Sequence, residues 1–128
     1  MILIKGTDKS VRFKVYDNIL QKNPIDLTVY NEFICAVTEG YGTVLIEKKF
    51  STNDIKVFSD NPDKYSNYII EVKFKKEDTA NMTLNPSYEE RIRNLELFGI
   101  MKNEEVTRFL ITEFYLEGSG YYVHRNRR

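Results

Sequence analysis

The chain has 128 residues, 41% of them hydrophobic and 30% charged, which fits one globular domain and excludes a disordered segment. Nineteen basic residues balance nineteen acidic ones, so the cationic excess behind phosphate neutralisation is missing and no specific nucleic-acid partner is expected. The single cysteine excludes an internal disulfide and a thiolate metal cage. No run approaches the ~20 apolar residues of a membrane-crossing helix, so no membrane partner is expected either. These features fit a protein made in a reducing cytoplasm.

Seventeen aromatic residues, nine Tyr and eight Phe, favour strands, whose pleated surface accommodates rings. Ile2-Leu3-Ile4-Lys5 is a short apolar run closed by the turn signal Gly6-Thr7-Asp8. Val11, Phe13 and Val15 then alternate with Arg12, Lys14 and Tyr16, the period of a strand with one wet face. Asp17-Asn18 and Lys22-Asn23-Pro24 mark a loop, after which Ile25 and Leu27 re-enter the apolar layer.

A strand is predicted over Asn31 to Thr38 and its hairpin partner over Val44 to Phe50, joined through Gly40-Tyr41-Gly42. A lesser strand covers Ile55 to Phe58, and Asp60-Asn61-Pro62-Asp63 is a turn. Tyr68 to Phe74 places Ile70, Val72 and Phe74 on one face and Ile69, Glu71 and Lys73 on the other. The stretch from Asp78 to Leu97 supports two readings. Ser87-Tyr88-Glu89-Glu90 resembles a capping box, with Tyr88, Ile92 and Leu95 at helical spacing and Glu89 paired with Arg93. Tyr88, Glu90 and Ile92 also fit a strand. Followed by Leu95, Leu97, the turn Asn103-Glu104-Glu105 and the strand Val106 to Tyr115, that reading gives a terminal hairpin, which is preferred.

Seven to eight short strands between turn signals predict an all-β fold, an antiparallel β-sandwich. Residues 1–118 would form it, leaving 119–128 as a basic C-terminal tail.

Nothing in the chain matches an active site, and the expected protein is not an enzyme. His124, the one histidine, sits in the tail, and Cys35 lies in the apolar run Phe33 to Val37 with no activating neighbour in sequence. Glu77 and Asp78 are adjacent, so on an extended chain they face opposite ways. Gly40, Gly42, Gly118 and Gly120 match no phosphate loop or dinucleotide fingerprint, and no calcium loop is present. No cofactor and no metal is expected. Tyrosines are the surplus: Tyr41, Tyr65, Tyr68, Tyr115, Tyr121 and Tyr122 exceed what a core requires. Some pack within the sandwich; others suit protein contacts, where tyrosine buries a rigid ring and keeps a polar tip. The expected interface set is Tyr41, Tyr115, Tyr121, Tyr122, Arg125, Arg127 and Arg128. The same tyrosines could stack on sugars, so a carbohydrate-binding module is the alternative function.

Several short pieces occur in a recognisable order: Ile2 to Thr7, Val11 to Asp17, Pro24-Ile25-Asp26-Leu27-Thr28, Val44 to Lys49, Lys76-Glu77-Asp78-Thr79-Ala80, Tyr88, and Phe114 to Ser119. Together they resemble the small immunoglobulin-like β-sandwich of tailed-bacteriophage structural proteins. The group includes baseplate upper proteins, in their N-terminal domain, and related head-fibre and tail domains. The resemblance implies attachment to a particle through other virion structural proteins, with self-association as a dimer or trimer. Because the chain stops soon after the sandwich, a stand-alone accessory or adaptor is expected.

Overall fold

The structure, a computed structural model, describes residues 1–17, 23–40, 42–84 and 92–118. Nine strands form among them: β1 (Ile2–Ile4), β2 (Lys9–Lys14), β3 (Tyr30–Glu39), β4 (Thr43–Lys49), β5 (Ile55–Phe58), β6 (Ile69–Phe74), β7 (Arg93–Met101), β8 (Val106–Glu113) and β9 (Tyr115–Glu117). Only Phe114 separates β8 from β9, and inside–outside alternation runs unbroken from Ile111 to Glu117. The two are one strand that changes partner.

A three-stranded sheet in the order β2-β6-β5 packs on a four-stranded sheet in the order β4-β3-β7-β8. These orders match the B-E-D and C′-C-F-G strands of an immunoglobulin sandwich. Every pairing within the two sheets is antiparallel. Among the described residues the exception is β1, which runs parallel to β9 with Ile2 beside Tyr115 and Ile4 beside Glu117. Parallel neighbours need a long crossover; here the rest of the domain supplies it.

Period-two patterning fills the space between the sheets. Phe33, Cys35 and Val37 of β3, Leu95 and Leu97 of β7, Ile70, Val72 and Phe74 of β6, and Ile55 of β5 are buried with Leu3, Leu116 and Phe114. Ile69 shares the outward parity of Glu71 yet is buried, flanked across the ladder by Lys14 and Phe58. Residues 93–101 are strand, so the hairpin reading holds there; the part of that stretch from 85 to 91 lies outside the described residues.

Corners are tied by polar side chains. Asp26 accepts the Thr28 N–H at 2.9 Å and caps a 3-10 turn, Leu27–Val29, which inserts Leu27 into the core. Lys76–Ala80 is a single helical turn (α1), not extended chain, so Glu77 and Asp78 do not alternate as the sequence suggested. Asp78 turns inward to meet buried Lys48 at 2.6 Å, and Thr79 accepts the Gly6 N–H at 3.0 Å. Buried Arg93 reaches Glu39 at 2.8 Å and the Thr83 carbonyl at 2.6 Å, fastening the segment before β7 to the sheet.

Candidate functional site

The outer face of the four-stranded sheet is unlike a simple wet surface. Cross-strand register aligns Lys49, Ile34, Phe98 and Arg108 in one row, and Glu47, Ala36, Glu96 and Ile111 in the next. A third row holds Glu32, Ile100 and Val106. Ile34, Ala36, Phe98 and Ile100 are partly exposed, whereas Val106 is 62% and Ile111 47% exposed. The alternation that runs from Ile111 to Glu117 gives Tyr115 of β9 the outward parity of Ile111, and Ile2, Ile4 and Tyr115 are each more than 40% exposed. Apolar side chains run across the central strands of the face and onto its β8 edge, at Ile34, Phe98, Ile100, Val106 and Ile111, with Glu32 and Glu96 set among them. Burial of such a patch against a partner is favourable by about 25 cal/mol per Å² of apolar surface.

Charge on this face is uneven. Glu32, Glu47, Glu96, Glu113 and Glu117 outnumber Lys49 and Arg108. Arg108 lies 3.7 Å from Glu96 and Lys49 lies 3.4 Å from Glu47, both at the surface. Glu113 accepts a 2.5 Å hydrogen bond from the Tyr115 hydroxyl, which raises the Tyr115 pKa.

The opposite outer face, on β2-β6-β5, carries Arg12, Lys14, Lys56 and Lys73 against one carboxylate, Glu71. Arg12 pairs with Glu71 at 3.0 Å and its guanidinium sits 5.0 Å over the Phe58 ring. Lys14 reaches Asp60 at the corner, at 3.4 Å. A formally neutral chain thus has one basic broad face and one acidic, apolar broad face.

The sheet rims are poor templates for strand addition. Both edges of the larger sheet bulge, β4 at Leu45 opposite Val37/Thr38 and β8 at Phe109 opposite Leu97/Phe98. On the smaller sheet, β2 bears Lys9, Arg12 and Lys14, and β5 has four residues. Bulges, edge cations and short edge strands all discourage pairing with a second chain.

Of the interface residues expected from sequence, Tyr115 lies in the described structure, and it is exposed on the acidic face. Tyr41, Tyr121, Tyr122, Arg125, Arg127 and Arg128 lie outside the described residues. Tyr68, counted among the surplus tyrosines, is a core residue: it is buried, meets Tyr16 and Tyr65 edge-on, and donates to Asp60, which pushes its pKa up to about 12. The outward apolar residues carry a sequence signal of their own, distinct from the tyrosine surplus. Phe33 to Val37, Leu97 to Met101 and Phe109 to Ile111 are in fact apolar at both parities, the mark of a strand covered on both sides.

Cys35 is fully buried, and burial pushes its thiol up to about 12 despite the nearby Lys48 cation. Among the described residues no group of three or more His, Cys, Asp or Glu side chains is placed to hold a metal ion. An open groove of about 410 Å³ lies along Phe50, Asn53 and Ile55 to Phe58. No protein-family profile matches the chain, and no curated protein matches it.

Proposed function

We propose that this chain is a non-enzymatic structural protein of a tailed-bacteriophage particle. It acts as a head-fibre or capsid-decoration component or as a tail or baseplate adaptor, assembling with itself and with other virion proteins. The observation that carries the reading is the set of exposed and partly exposed apolar residues on the outer face of the four-stranded sheet. A sheet facing water alone would carry polar groups at Ile34, Phe98, Ile100 and Ile111. Because the rims are blunted, contact comes from this broad face rather than from strand addition.

The short pieces shared with phage sandwiches support the reading because they are framework positions here. Asp26 and Leu27 fix one corner, and Asp78 and Thr79 fix another. Such motifs specify a scaffold, and the scaffold displays the face.

Mass spectrometry of purified particles, from an infected culture carrying the coding sequence, tests the proposal. Multiple copies per particle are expected. A protein absent from particles and strictly monomeric in solution contradicts it.

A further inference from the structure

We infer that the two broad faces are made for each other: the basic face of one copy seats on the acidic, apolar face of the next, giving a head-to-tail stack. The inference deepens the assembly reading and rests on it. Charge selects this arrangement over a two-fold one. Joining two acidic faces would bring five carboxylates and two cations against the same set, whereas the opposite face offers four cations and one carboxylate. Like-charge apposition costs, and complementary potentials favour encounter and fix orientation.

Apolar matching is compatible with it. Phe58 is a partly exposed ring on the basic face, and Lys14, Lys56, Lys73 and Arg12 carry long methylene stems. Such stems lie along apolar surface while the charged ends reach outward. Laid over Ile34, Phe98 and Ile100, they bring ammonium groups toward Glu47 and Glu96 in the row next to Ile34 and Phe98, and toward Glu32 beside Ile100.

Four strands about 4.8 Å apart and eight residues at about 3.3 Å give a face of about 500 Å². About 1,000 Å² in total is at the lower end of specific interfaces, so each contact is weak and the stack depends on concentration and salt. A heterologous contact also does not close by itself; it propagates or forms a ring.

Reversing each face separately tests this. Variant one is Lys56→Glu/Lys73→Glu, and variant two is Glu47→Lys/Glu113→Lys, each checked for an unchanged circular dichroism spectrum and melting temperature. In sedimentation velocity of the full chain, wild type is expected to form a concentration-dependent ladder. Each variant alone should lose at least ten-fold in self-association. An equimolar mixture should regain association, because each variant keeps one native face, the two native faces fit, and the two reversed faces are again opposite in charge. If variant one associates like wild type while variant two does not, the contact is two-fold and the inference fails. It fails also if the mixture stays monomeric, or if wild type is monomeric throughout. Detection of the chain in particles would in those cases leave the assembly reading standing, which separates the two failures.

Discussion

Gly99 sets how closely the aromatic cluster approaches β7. An added Cβ would fall 2.5 Å from Phe109 Cζ and 2.7 Å from Tyr30 Cδ1. Those rings stack edge-on with centroids 5.1 Å apart and both pack near Phe33, so neither can yield alone. The effect is one of space rather than backbone strain. Gly99→Ala is expected to lower stability by about 1–3 kcal/mol, the usual cost of overpacking a filled core. The urea unfolding midpoint measures it, and an unchanged midpoint would show that the cluster is looser than described. At the same scale, buried Lys48 illustrates how a charge survives in a core. Its ion pair with Asp78 is short and Asp78 also accepts the Lys75 N–H at 2.7 Å, so desolvation is offset by two contacts.

Among the elements, the 3-10 turn at Leu27–Val29 shows how a polar side chain places an apolar one. The Asp26 carboxylate accepts both the hydroxyl and the N–H of Thr28, and these bonds hold its pKa below the ordinary carboxylate value. A folded-state pKa below the unfolded value means stability that is present above the unfolded pKa and lost as pH falls through the folded one. Asp26→Ala is therefore expected to destabilise by about 1 kcal/mol at neutral pH. The difference should shrink toward zero in acid, below both pKa values, as read from thermal melts across pH 2–7. A constant difference over that range would contradict the cap. Most elements were legible in the sequence. The strand at Ile55–Phe58 was bounded correctly, and the β3–β4 and β7–β8 hairpins were announced by Gly40 and Asn103. Two features were not legible. Parallel pairing of β1 with β9 joins chain ends that no local pattern links, and α1 forms where tertiary partners, Lys48 and Gly6, hold Asp78 and Thr79.

For the whole molecule, zero net charge concealed a polarity that only register reveals. Alternation separates Arg12, Lys14, Lys56 and Lys73 from the core, but strand order is needed to gather them on one face. Of the expected interface residues, Tyr115 falls on this face and the other six lie outside the described residues. The remaining surface comes from strands apolar at both parities, which composition alone cannot assign to an outer face. The proposed assembly buries that face. Thiol labelling of Ile111→Cys measures this directly, since native Cys35 is buried with its thiol pushed up to about 12 and stays silent at neutral pH. Labelling of Cys at this position should slow at least ten-fold when the chain is assembled, relative to dilute protein. Equal rates in the two states would contradict the claim that the outer face of the four-stranded sheet is the contact surface.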